Sequence, residues 1–184
     1  MRNSEKFYIG ADVIGYLIPQ RHPMLMVDQI IDYRGSPEYQ LSAERYVSAN
    51  EPVFVGHFPD LKLWPGVHTI EGLRQCCVLF DILHQLDERD LLGGLQVLQR
   101  SKMLQPRVDK KLCQRVLDTL PEIRQLAQVP LRLRVKLIAP IFPGCILVYQ
   151  VYRNTFDLHT WSVQAEVNSR CVAQGEIAYP SGVK

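Results

Sequence analysis

Pro65-Gly66-Val67-His68-Thr69-Ile70-Glu71-Gly72-Leu73-Arg74-Gln75-Cys76-Cys77-Val78-Leu79-Phe80-Asp81-Ile82-Leu83-His84-Gln85-Leu86 is the stretch on which the fold turns. Pro65 and Gly66 make a plausible helix start, since Pro suits a first turn that needs no N–H from it. From 67 to about 86 apolar residues crowd the helix: Ile70, Leu73, Cys76, Cys77, Leu79, Phe80 and Leu83. A helix that apolar is one the rest of the chain must cover.

The segments around it supply the cover. Downstream, four strands are expected over 131–138, 146–155, 159–167 and 171–179, with Pro143-Gly144 and Asn168-Ser169 as turns. The third alternates Trp161, Val163, Ala165 and Val167, the period-two pattern of a half-buried antiparallel strand. Upstream, a short helix over 11–18 stops near Pro19, and β-rich runs follow at 24–33 and 39–48. Residues 52–65 read as a loop rich in Pro, Gly and aromatics. Residues 87–128 carry Gly93-Gly94, Pro106, Pro121 and a helical spacing at Leu112, Val116, Leu117 and Leu120. They are expected to form a helical insertion at the rim, tuning recognition more than stability. The whole is one domain over 1–184, α+β in class: an antiparallel sheet wrapped around a long central helix.

Composition narrows the function. The chain has 184 residues, 47% hydrophobic and 22% charged, the profile of a globular domain. At that length a chain hides roughly 70% of its unfolded surface and requires no covalent staples. Lys plus Arg outnumber Asp plus Glu by 21 to 19, too even a balance for a nucleic-acid partner. No apolar run approaches the ~20 residues of a membrane span, and residues 1–7 lack a signal-peptide core. A cytoplasmic protein without a membrane partner is expected. The five cysteines form no C-x-x-C pair, and Cys76-Cys77 is read as small apolar filling.

The chemistry sits just before and inside the helix. His57 lies on a loop bounded by Pro residues, and Glu71 lies in the first turns of the helix, fourteen residues on. A carboxyl among apolar neighbours tends to keep its proton, while a neutral His accepts one near neutral pH. Together they divide acid and base roles as an elimination requires. The N–H of Gly66, at a helix N-terminus, can polarise a carbonyl oxygen, and Gly permits close approach of a thioester. Taken singly, a loop His and a helix Glu are more often structural.

The run Gly56-His57-Phe58-Pro59, then Pro65-Gly66-Val67, Glu71 and Gln75, resembles the hot-dog-fold 3-hydroxyacyl-acyl-carrier-protein dehydratases of fatty acid synthesis. Leu17-Ile18-Pro19-Gln20-Arg21-His22-Pro23-Met24-Leu25-Met26-Val27-Asp28 is similar to that family's opening segment, and Ser48-Ala49-Asn50-Glu51-Pro52 to its approach to the His loop. Ala139-Pro140-Ile141-Phe142-Pro143-Gly144 resembles its later Pro-Gly turn. The resemblance covers most of the chain outside 87–128. It implies a homodimer or an assembly of dimers, with His57 of one subunit and Glu71 of the other in each site. His57 would remove the C2 proton and Glu71 would help the C3 hydroxyl leave as water. Gly66 would hold the thioester carbonyl, Gln75 would support Glu71, and Phe58 and Val67 would line the substrate path. Acyl carrier protein is the implied partner, and no metal or organic cofactor is implied. Glu at 71 resembles the simple-dehydratase branch, not the dehydratase-isomerase branch.

The chain departs from the family at particular places. Where the family usually reads Glu-Ala-Met-Ala-Gln, this helix reads Glu71-Gly72-Leu73-Arg74-Gln75, and His68-Thr69 replaces apolar residues. Asp60 and Cys145 replace the usual Gly and Asp, and the basic pair before Pro140 is missing. A charged Arg74 on a buried helix must find a partner or reach water; it is read as a salt-bridged interface residue. His68 is read as a polar helix-start residue, and His22 as packing. Lys102, Lys110, Lys111, Arg132, Arg134 and Lys136 are candidates for docking an acidic carrier. Two other readings stand beside the dehydratase: a non-catalytic hot-dog subunit paired with an active relative, identical or not, and, more weakly, a thioesterase.

Overall fold

Pro65 caps the central helix in extended backbone, and α2 runs from it over Gly66–Glu88. The computed structural model describes residues 7–102, 109–154 and 157–180. Before α2 come β1 (Ile9–Gly10), α1 (Ala11–Leu17), β2 (Gln29–Arg34), β3 (Gln40–Val47) and a 3-10 turn, Pro52–Val55. After it come α3 (Leu92–Lys102), α4 (Lys110–Ile123), a second 3-10 turn (Arg124–Gln128), β4 (Arg132–Leu137), β5 (Cys145–Arg153), β6 (Thr160–Val167) and β7 (Arg170–Ala178). The described strands form one sheet in the order β1-β2-β3-β5-β6-β7-β4, each neighbouring pair antiparallel. Helix α2 packs on β3, β5 and β6. This is the helix-in-sheet arrangement of the hot-dog fold.

Alternation along the strands sets the packing. Leu147, Tyr149 and Val151 of β5 and Trp161, Val163 and Ala165 of β6 are buried, with less buried residues between them. Across the sheet the register aligns Ala43, Tyr149, Ala165 and Ala173, so one large ring stands in a row of small residues. On the helix side the partner is Gly72: a Cβ there would overlap the Tyr149 hydroxyl and ring. Glycine at 72 is thus the complement of tyrosine at 149. The β6–β7 hairpin turns through Asn168 and Ser169, with φ of 49° and 61°, the double left-handed geometry whose twist matches paired strands.

The second half of α2 is locked from the sheet side. Asp81 is only 5% exposed. Its carboxyl accepts a 2.6 Å hydrogen bond from Tyr179 Oη and pairs with Arg153 at 3.2 Å. Arg153 lies over the rings of Phe80 and Trp161. Burial pushes the Asp81 carboxyl up to about 6, outweighing the Arg153 cation and the Tyr179 hydroxyl. Cys76 and Cys77 are buried free thiols that burial pushes upward. Among the described residues no helix is long and apolar enough to cross a membrane.

Several expectations need correction. Residues 24–28 are not strand, and the ladder begins at Gln29. Met24 and Met26 turn their backbone groups to a helix side chain instead. The two-residue β1 was not expected, and α4 continues through Pro121 to Ile123. The segment after α2 is no rim decoration. Leu95 and Leu98 of α3 and Val116, Leu120 and Ile123 of α4 are buried with the rest of the core. Gln99 Oε1 accepts from the Gly10 N–H at 2.8 Å, joining α3 to β1.

Candidate active site

The loop before α2 is closed on itself by hydrogen bonds. His57 N–H donates to Val53 O at 3.0 Å, Leu63 N–H to His57 O at 3.0 Å, and Trp64 N–H to Ile141 O at 2.9 Å. The His57 ring joins the same closure: its Nδ1 lies 2.7 Å from Leu63 O. A carbonyl oxygen only accepts, so Nδ1 carries the hydrogen and Nε2 of the neutral ring keeps its lone pair. The backbone thereby fixes which nitrogen can act as base. Phe58 stacks on the imidazole with ring centroids 4.3 Å apart.

Beneath the loop sits an ion-pair strut that the sequence did not announce. Arg45 of β3 binds Asp28 at 2.7 Å and Glu51 at 2.6 Å, and its guanidinium lies over Trp64. Asp28 and Glu51 both belong to the motif segments quoted above, which was the available signal. His68 meets Trp64 edge-on, and burial, then the Arg45 cation, pushes it below the ordinary imidazole range. It is held neutral.

Glu71, Arg74 and Gln75 share one face of α2 by their i, i+3 and i+4 spacing. Arg74 Nε donates to Glu71 Oε2 and Nη2 to Oε1, both at 2.7 Å. Gln75 Nε2 adds a 2.8 Å bond to Oε1. The amide orientation of Gln75 is set by the backbone: Oε1 accepts from Met26 N–H at 2.9 Å and Nε2 donates to Met24 O at 2.7 Å. Gln75 and Glu71, expected to act together, are thus hydrogen-bonded. The surroundings of Glu71 are not purely apolar as expected, because Arg74 meets its own helix's carboxylate. That carboxylate holds Arg74 above the ordinary guanidinium range against its burial.

Gly66 begins α2 and lines a groove with Trp64, Thr69, Leu137 and Ile138. The Leu137 side chain occupies the place a Cβ at 66 would take, so leucine, within this chain, uses the close approach that glycine permits. Phe58 and Val67 are 49% and 68% exposed. Among the described residues no hydrogen bond or ion pair joins His57 to Glu71 within the chain. The structure thus unites Glu71 with Gln75 and His57 with Phe58, and leaves the two groups separate. Among the described residues no set of three His, Cys, Asp or Glu side chains could hold a metal ion.

Known proteins resemble this chain in both sequence and shape. The family model of the FabA-like domain matches residues 18–109. The 3-hydroxyacyl-[acyl-carrier-protein] dehydratase FabZ of Chlamydia muridarum is 38% identical over 104 residues, 56% of this chain and 67% of that protein. FabZ of Halorhodospira halophila is 43% identical over 111 residues, 56% of this chain and 71% of its own length. In structure, a chain of the dehydratase heterocomplex ApeI:P from Xenorhabdus doucetiae superposes with a TM-score of 0.52 at 16% identity. That superposition covers 92% of this chain and 91% of the other, and it speaks for the fold.

Proposed function

The chain belongs to the FabA-like dehydratase family, and on that premise we propose that it removes water from 3-hydroxyacyl thioesters borne on acyl carrier protein, giving trans-2-enoyl thioesters. The observation that carries the reading is the pinned imidazole of His57, whose Nδ1 is committed to Leu63 O and whose Nε2 is left as a base. In the reaction His57 Nε2 takes the C2 proton, the C2–C3 double bond forms, and the C3–O bond breaks. The Gly66 N–H steadies the thioester oxygen as charge gathers there. Glu71, held by Gln75, engages the C3 hydroxyl, and Phe58 and Val67 flank the substrate.

The site is read as shared between two copies. Among the described residues no hydrogen bond or ion pair joins His57 to Glu71 within one chain, and β4 ends the sheet with an edge that no described strand pairs. Leu133 and Leu137 on that strand and Ile138 just beyond it are exposed, an apolar surface suited to a second copy about a two-fold axis. Arg132, Arg134 and Lys136 alternate along β4 and Lys110 and Lys111 open α4, all suited to an acidic carrier; the Lys102 side chain lies outside the described residues. The cytoplasm is the proposed setting.

One observation favours a second reading, a non-catalytic subunit beside an active relative: both Glu71 oxygens already accept from donors of the same helix. Incubating the purified chain alone with 3-hydroxyacyl-carrier protein and following loss of water by mass spectrometry separates the two. Turnover by the chain alone, unaffected by a chelator, supports the dehydratase. Turnover only after adding a related subunit supports the second reading.

A further inference from the structure

Arg74 stands where no dehydratase step has been assigned to it, and it is bonded to the residue proposed to act on the leaving group. Resting on the dehydratase reading, we propose that Arg74 is a positioning residue: it fixes Glu71 as an acceptor that aims the C3 hydroxyl, leaving His57 to carry the proton from C2 to the departing oxygen.

The donors around Glu71 can be counted. Gln75 must present its NH2 group to Glu71, because Met26 N–H and Met24 O fix the amide from the other side. Arg74 has only N–H donors to offer. Oε1 therefore accepts twice, from Gln75 Nε2 and Arg74 Nη2, and Oε2 accepts once, from Arg74 Nε. A carboxylate offers about four lone-pair positions. Three are filled by N–H groups, so about one remains, and it is on Oε2. With the Arg74 fork bound to both oxygens, that remaining place is where the carboxylate can accept the O–H of a substrate hydroxyl.

The pair is within a substrate's reach, with side chains 19% and 21% exposed for Arg74 and Glu71. The fork makes both bonds from one planar group, which a lysine ammonium does not reproduce. The proton balance then closes on one residue. His57 Nε2 takes the proton as the C2–H bond breaks, and those electrons form the C2–C3 double bond. The C3–O pair leaves with oxygen, the imidazolium returns its proton to that oxygen, and water departs with His57 neutral again. Glu71 and Arg74 end unchanged.

The test is dehydration of a 3-hydroxyacyl thioester by the full-length chain, comparing wild type with Arg74→Ala, Arg74→Gln and Arg74→Lys. Loss of aim at a reacting centre costs up to about 10²-fold, so kcat of Arg74→Ala should fall about 10- to 100-fold, with KM and melting temperature close to wild type. Added guanidinium chloride should restore part of that rate, ammonium chloride at equal strength should not, and Arg74→Lys should recover only part of it. Wild-type kcat in Arg74→Ala, or equal responses to the two salts, overturns the role while the dehydratase reading stands. Insolubility of both Arg74→Ala and Arg74→Gln makes Arg74 a packing residue and overturns it as well. A wild-type chain that dehydrates no thioester defeats the dehydratase reading, and the role of Arg74 falls with it.

Discussion

The two halves of α2 hold their carboxylates in opposite ways. Glu71, in the first half, is part-exposed and served by donors one turn along its own helix. Asp81, in the second half, is buried and served by Arg153 of β5 and Tyr179 beyond β7. A group served by its own helix keeps its geometry whatever the sheet does and leaves one side open to a ligand. A group served by the sheet ties helix to sheet. One continuous helix thus divides into a working end and an anchoring end.

Variants at the two ends should separate activity from stability. The largest effect is expected at the working end. His57→Ala and Glu71→Ala should each lose about 10²–10⁴-fold in turnover, with little change in denaturation midpoint. If the chain pairs as proposed, refolding the two variants together gives mixed dimers, and a shared site predicts recovery of about a quarter of the sites. Background activity after verified subunit exchange would break the shared-site reading.

At the anchoring end the expectation reverses. Arg153→Ala leaves a buried carboxyl without its cation and should cost up to about 5 kcal/mol in chemical denaturation, while kcat of the remaining folded protein stays near wild type. Between the ends, Gly72→Ala drives a methyl into Tyr149 and should cost up to about 3 kcal/mol. It should also lower turnover, since the displaced turn carries Glu71. Stability loss at 72 with unchanged kcat would show that the halves are less sharply divided.

The smallest effect is a pH slope. The folded chain keeps a proton on Asp81 up to about pH 6, whereas an ordinary aspartate loses it near 3.8. Folding therefore binds a proton within that window, and this contribution to stability falls as pH rises through it, by about 1.4 kcal/mol per pH unit. Asp81→Asn should remove the slope. A wild-type denaturation midpoint with the same pH dependence as the variant would contradict the assignment.

The sequence made the fold legible wherever a pattern ran long enough to have a period. The apolar crowding of α2 and the alternation at Trp161, Val163 and Ala165 placed the helix and the last strands. Two-residue β1 is too short for any period to show. Residues 24–28 have strand-like composition, yet the Met24 carbonyl and the Met26 N–H are claimed by Gln75, far away in sequence and invisible to local pattern. The helical spacing in α4 was readable, but whether its apolar face met the core or the rim was not. In the site, His57, Glu71 and Gln75 were found by motif, whereas the tautomer of His57 depends on one carbonyl that only the folded loop brings near. Arg74 is salt-bridged as expected, and the partner left unnamed is Glu71: a charge three residues on already satisfies the helical pairing rule, and the family pattern drew attention to its strangeness instead of its neighbour.

The bond between Gln99 and Gly10 reaches beyond the joint it makes. It caps a backbone donor of β1, the first strand of the sheet, while α1 and α3 pack around that strand. An exposed strand edge is a template on which further chains can add, and here one end of the sheet is stoppered. The opposite end, β4, is the open one among the described strands. Two chains meeting there about a two-fold would consume both open ends at once, so growth along the sheet would halt at a pair and could not run on into a fibre.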